Sequence, residues 1–68
     1  MKTKIRTTAG EYWIDHNARP KELIDVHGVR SKLVTFPFLK MGEDMVVGLI
    51  SDVQVLNLGE VLEIENVD

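Results

Sequence analysis

Residues 45–58, MVVGLISDVQVLNL, place nine large apolar residues among fourteen, in a chain of only 68. Five of them are β-branched (Val46, Val47, Ile50, Val53, Val55) and Gly48 sits near the middle, so the stretch reads as sheet and not helix. Over MVVGLI both faces of a pleated strand are apolar, whereas Val53 and Val55 alternate with Asp52 and Gln54. Ser-Asp is a poor two-residue hairpin turn, so a bend or a single helical turn at Ser51-Asp52 is expected to reset the faces. A strand apolar on both faces needs a second layer, either from a sheet curled into a small barrel or from another chain.

The length makes that demand acute. A domain of this size buries only roughly 60% of the surface its unfolded chain exposes. The absence of cysteine removes disulfides and thiolate zinc sites as reinforcement, leaving association with another chain as the expected help. It also fits a reducing compartment, and the chain reads as cytoplasmic. The basic start MKTKIRTTAGEYWID is not followed by the apolar segment of a signal peptide. The run MVVGLI is far short of the ~20 residues a membrane span needs, so no membrane association is expected. Residues 1–40 carry all eight bases against four acids, while 41–68 carry seven acids and no base, a split of +4 and −7 that sums to −3. Either the two halves face each other in the fold, or the protein presents partners with two faces of opposite sign.

The chain reads as one small β-rich domain over 1–68, without repeats or linkers. Lys2, Lys4 and Arg6 alternate with Thr3, Ile5 and Thr7, and EYWID follows Ala9-Gly10, which predicts a β-hairpin turning at Gly10. In DHNARPKELIDVHG, Asp15 or Asn17 can cap, Pro20 suits a first turn and Gly28 can end a helix, which predicts one short helix; a strand over ELIDVH is the alternative. SKLVTFPFLKM predicts a strand with Val34, Phe36 and Phe38 toward the core and Pro37 at an edge or bulge. Leu58-Gly59-Glu60 predicts a turn into VLEIENV. The expected class is therefore α+β and β-rich, a small antiparallel sheet or partly closed barrel with one short helix.

The hairpin TTAGEYWID, the segment PKELI read as a helix start and the strand VTFPF together resemble small β-rich proteins of unassigned function from Gram-positive bacteria and their phages. The resemblance spans about fifty residues. It implies a phage or mobile-element origin and carries over no functional residue.

Chemistry-bearing residues are sparse. Asp25, His27 and Ser31 lie close in sequence, but a His-Gly-Val-Arg-Ser loop offers neither a nucleophile elbow nor an oxyanion hole. Asp15, His16 and His27 lack the spacing of a metal site, and the five scattered glycines form no phosphate loop. No catalytic residue, metal or cofactor is expected. The reading is a non-enzymatic module that binds another protein and self-associates as a homo-oligomer through Phe38, Val47, Leu49, Val53 and Val55; a phage-type inhibitor of a host protein fits it. The alternative is a small barrel that binds RNA or single-stranded DNA through Lys4, Arg6, Tyr12, Trp13, Arg30, Lys32 and Phe36. The placement of Trp13 separates the two: buried favours the first, exposed beside Lys4 and Arg6 the second.

Overall fold

The computed structural model describes residues 1–34, 39–50 and 52–67. Six strands, β1 (Lys2–Thr7), β2 (Gly10–Asp15), β3 (Glu22–Ile24), β4 (Arg30–Lys32), β5 (Asp44–Leu49) and β6 (Asp52–Val67), form one antiparallel sheet in the order β4-β3-β2-β1-β6-β5. Beyond β4, Leu33 bridges Leu49: the Val34 N–H donates to the Gly48 carbonyl at 2.8 Å and the Ile50 N–H to the Lys32 carbonyl at 2.9 Å. These bonds bring the two ends of the sheet together as a nearly closed barrel in which each strand neighbours the next in sequence. Closure is what lets so short a chain build an interior. Ile5, Ile14, Leu23, Leu33, Met45, Val47, Leu49 and Val61 fill it, with Tyr12, Leu39, Leu56 and Leu58 packed against them.

β6 makes closure possible by bending. Sixteen extended residues would span about 50 Å, against a longest molecular dimension of 28 Å. Its first half pairs with β5 and its second with β1, and the pairing slips between Asp44 and Val46 on one side and between Arg6 and Thr7 on the other. Gly59, with φ +94°, lies within the first of these slips, between Asn57 and Glu60. The β1–β2 turn clasps this bend. Thr8 N–H donates to the Glu60 carbonyl, and Glu60 N–H to Thr8 Oγ1, both at 3.1 Å. The buried Thr7 hydroxyl donates to the Leu58 carbonyl at 2.6 Å and accepts from Ala9 N–H at 3.1 Å.

The class is all-β, which corrects the α+β expectation: no helix occurs among the described residues. The segment read as a helix becomes a loop and a hairpin. Asp15 accepts from Asn17 N–H in a local turn. Glu22–Ile24 pairs with β2 on one side and β4 on the other, putting Leu23 in the core. The helix-ending role given to Gly28 is instead the last position of a β-turn: Gly28 N–H donates to the Asp25 carbonyl at 3.0 Å, and the Asp25 carboxylate accepts from His27 N–H and Val29 N–H. Asp first and Gly fourth, here at φ +80°, suit a turn that returns one strand on another. A two-turn helix is marginal alone, whereas the strand gains ladder bonds on both edges.

Three further expectations change. The strand expected over SKLVTFPFLKM has the opposite phase at its start, with Leu33 buried and Val34 exposed; residues 35–38, including Phe36, Pro37 and Phe38, lie outside the described residues. Leu49 pairs with Asp52, so the chain reverses where a bend or helical turn is expected. Leu58-Gly59-Glu60 bends a continuous strand and does not turn it back. The β1–β2 hairpin is present as expected, with Thr7 opposite Gly10 and the reversal at Thr8-Ala9.

Candidate functional site

Two outer surfaces of the barrel are candidates. The first lies over β6, β1, β2, β3 and β4. Directly opposed residues share a face, and the pairing registers align Val67, Lys2, Asp15, Glu22 and Lys32 in one row, Glu65, Lys4, Trp13, Ile24 and Arg30 in the next, and Glu63, Arg6 and Glu11 in a third. Five of the six basic and nucleic-acid candidates in the described residues therefore do share a surface: Lys4, Arg6, Trp13, Arg30 and Lys32. Tyr12 does not, since it has the opposite parity, stands across from Ile5 and packs against the core. Phe36 lies outside the described residues.

Acids interleave that surface. Lys4 Nζ is 3.1 Å from Glu11, Arg6 is 3.4 Å from Glu63, and Arg30 lies 3.0 Å from both Asp15 and Glu22. The hydrogen bond to Glu11 and its charge raise the Lys4 pKa above its ordinary value, and Arg30 holds the Asp15 carboxyl below its own. Five bases (Lys2, Lys4, Arg6, Arg30, Lys32) meet five acids (Glu11, Asp15, Glu22, Glu63, Glu65), so the face has no net formal charge. The basic first strand and the acidic last strand face each other, as one of the two readings of the charge split holds. Trp13 is half-buried on this face, its ring centroid 6.0 Å from Lys4 Nζ, a placement between the two that would have separated the readings.

At the edge of this surface, His16 Nε2 lies 2.7 Å from the buried Thr3 hydroxyl. Burial, and then the positive charges of Lys21 and the chain's amino terminus, push the His16 pKa below its ordinary 6.5, partly opposed by Asp15. On acidification the unfolded chain takes up this proton first, so stability is fully present above about 6.5 and declines as the pH falls from there through the lower folded-state value. Thermal melts between about pH 7.5 and 5.5 are expected to show this decline in the native chain and a smaller one in His16→Gln; equal declines in both would assign it elsewhere.

The second surface wraps β5, the first half of β6 and Val34. Along β5, Met45, Val47 and Leu49 point inward while Asp44, Val46, Gly48 and Ile50 point outward. Across the ladders, Val46 stands opposite Asn57, and Gly48 has Val55 on one side and Val34 on the other. Four aliphatic side chains therefore lie exposed around a residue with none: Val34 at 61%, Val46 at 43%, Ile50 at 55% and Val55 at 67% of full exposure. Closing the barrel covers only one face of a doubly apolar strand, and this is the other.

The expected interface is only partly here. Val55 belongs to this surface, but Val47, at 1% exposure, and Leu49 are core residues of their own chain and cannot reach a partner. Phe38 and the side chain of Val53 lie outside the described residues. Sequence reading missed Val34, Val46 and Ile50. The signal for two of them is Asp44, which shares its parity with Val46, Gly48 and Ile50 and marks that side of β5 as outward.

Neither the Asp25, His27 and Ser31 set nor the Asp15, His16 and His27 set weighed as metal ligands assembles. The Asp25 carboxylate is engaged by the backbone N–H groups of its own turn, and Ser31 stands across from the buried Leu23. His16 and His27 occupy opposite ends of the β2–β3 pair, the first lining a groove of about 320 Å³ with Ala18, Arg19, Pro20 and Lys21, the second a groove of about 250 Å³ beside Tyr12 and Asp25. Among the described residues no group of three His, Cys, Asp or Glu is placed to hold a metal ion, and no helix is long and apolar enough to cross a membrane. No family model, curated protein or solved structure matches the chain.

Proposed function

We propose that this chain is a non-enzymatic protein-binding module whose contact surface is the apolar outer face of β5 and β6 together with Val34. The observation that carries this reading is the contiguity of the four exposed aliphatic side chains around Gly48. Single exposed apolar residues are ordinary, but a cluster on adjoining strands is the kind of surface a binding partner covers. A role as inhibitor of a host protein is one form such binding takes. The test is a photo-activated cross-linker introduced at Val55, with Glu11 on the charged face as control. Protein adducts are expected from position 55 and not from 11; equal adducts from both positions, or none from 55, would remove the reading.

Nucleic-acid binding has one observation in its favour, Trp13 on an outer face beside Lys4. Against it stands the charge balance of that face, because affinity for a polyanion comes from bases that neutralise phosphates and these bases already stand among as many acids. Trp13 is the sole tryptophan, so its fluorescence reports directly. Titration with a single-stranded oligonucleotide at ~150 mM salt is expected to leave it unchanged; salt-sensitive saturating quenching, lost in Arg30→Glu, would transfer the function to that face.

A further inference from the structure

The second half of β6 is a strand edge. On the side away from β1, Val61 is met by the preceding loop: Gly42 N–H donates to the Val61 carbonyl and Val61 N–H to the Glu43 carbonyl, both at 2.9 Å. Beyond Val61, no strand among the described residues pairs with that side. Residues 62–66 are accordingly exposed on both parities, and Ile64, at 37%, is exposed although Ile5 directly across from it is wholly buried. The β1–β2 hairpin determines which backbone groups are left over. Thr7 and Gly10 flank a two-residue turn and bond each other, so by alternation Lys2, Lys4 and Arg6 turn their N–H and C=O groups toward β6. Glu65 and Glu63, across from Lys4 and Arg6, bond within that ladder, whereas Ile64 and Asn66 turn their backbone groups outward to the open side.

We propose that this edge takes up an extended segment of another protein as an added antiparallel strand, one in which Lys or Arg alternates with apolar residues. The inference is separate from the reading of the Val55 face, which uses the first half of β6. Charge selects the occupant. Across the outer face the rows end on a carboxylate at the open side: Glu11, Arg6 and Glu63 in one, Lys4 and then Glu65 in the next. Residues 60–68 hold four acids and no base, and residues 35–38 and 51 contain no Lys or Arg that could neutralise them. A second copy of β6 laid antiparallel on this edge brings two pairs of Glu63 and Glu65 together, like charges that oppose the pairing. A base–apolar–base triplet instead continues the alternation, with its bases beside Glu63 and Glu65 and its apolar residue covering Ile64. The opposite edge of the same strand already carries this pattern, since Lys4, Ile5 and Arg6 stand across from Glu65, Ile64 and Glu63.

The probe is the peptide Lys-Thr-Lys-Ile-Arg-Thr, the sequence of β1, capped at both ends and added to the full native chain. Amide hydrogen exchange followed by NMR reads the result. In the free protein, exchange is expected to be about tenfold faster at Ile64 and Asn66 than at Glu65. The peptide should bind with a Kd of about 0.1–1 mM and slow exchange at Ile64 and Asn66 while leaving the β1 amides as they were. The same peptide with Glu in place of each base should not bind, and neither should one N-methylated at its Ile, which removes a ladder donor without altering the protein. Glu65→Lys should weaken binding of the basic peptide about fivefold. Absence of saturable binding at about 5 mM peptide, or equal binding of the basic and acidic peptides, would overturn the proposal. So would changes confined to the β1 amides, which mean that the peptide replaces β1, or protection of Ile64 and Asn66 that grows with protein concentration alone, which makes the occupant a second copy. Cross-linking from position 55 is expected to be the same whichever of these results is found, so the two readings stand or fall apart.

Discussion

Gly59→Ala is expected to lower the melting temperature by about 10–20 °C. Two independent costs meet at this residue. Its φ of +94° is one that side chains other than glycine adopt at a cost of about 1–2 kcal/mol. A Cβ there would also stand 2.5 Å from Thr8 Oγ1 and 3.1 Å from Ala9 N. Thr8 is itself held by two bonds to Glu60, so relieving the contact means loosening the clasp that bends β6. Forced overpacking of this kind costs about 1–3 kcal/mol, and each kcal/mol shifts a domain of this size by roughly 4–8 °C. Gly28→Ala is the matched control, because Gly28 has φ +80° with nothing within 4 Å of the added carbon. Melts followed by circular dichroism should give Gly28→Ala only the conformational part. Equal losses at both sites would mean that the contact with Thr8 is not felt. Thr8→Ala combined with Gly59→Ala should recover part of the difference.

Val47→Glu is expected to abolish cooperative unfolding, while Val46→Glu, one residue away, leaves stability within about 0.5 kcal/mol of the native chain. Val47 lies between Met45 and Leu49 on the inner side of β5, and all three are buried. Replacing it forfeits about 1.5–3 kcal/mol of burial and strands a carboxylate without a partner, a further cost of several kcal/mol. The whole domain holds only about 3–10 kcal/mol, at roughly 0.05–0.15 per residue. Val46 faces solvent, and a carboxylate there remains hydrated. Dispersed amide resonances in Val46→Glu and collapsed ones in Val47→Glu would establish which side of the strand is the interior; a folded Val47→Glu would refute the inward assignment.

The parts of this barrel legible in the sequence are those fixed by short-range patterns. The alternation of Lys2, Lys4 and Arg6 with Thr3, Ile5 and Thr7 gives β1 its inner and outer faces, and TTAG gives its hairpin. DHNARPKELIDVHG suggests a helix because it carries residues that serve caps and turns alike. Asp15 and Gly28 do form local hydrogen-bonded structure, but that of loops flanking a three-residue strand whose support comes from β2 and β4. Propensity within the segment contains nothing about those neighbours. The phase of MVVGLI is a different failure: when both parities are apolar, hydrophobicity alone is silent, and the single charged residue at the strand's start, Asp44, decides it. Without that cue, Val47 and Leu49 look as available to a partner as Val46 and Ile50. The pairing of bases with acids on the outer face depends on β6 lying beside β1, which brings Lys4 next to Glu65 and Arg6 next to Glu63. The charge split between the two halves hinted at this, but the register was beyond it.

That same adjacency of first and last strands governs how the chain finds its shape. Four of the seams are ladders between consecutive strands, β1–β2, β2–β3, β3–β4 and β5–β6, and hairpins of that kind form in microseconds. The β1–β6 seam alone joins distant segments, with Lys2 opposite Val67 and Thr7 opposite Val61. Nearly the whole chain must become a loop before that ladder gains its first bond, and the entropy of closing it is spent before any contact there offsets it. The pairing that this topology makes slowest is therefore the arrival of the second half of β6 against β1, the seam that the threonine clasp at Gly59 adjoins.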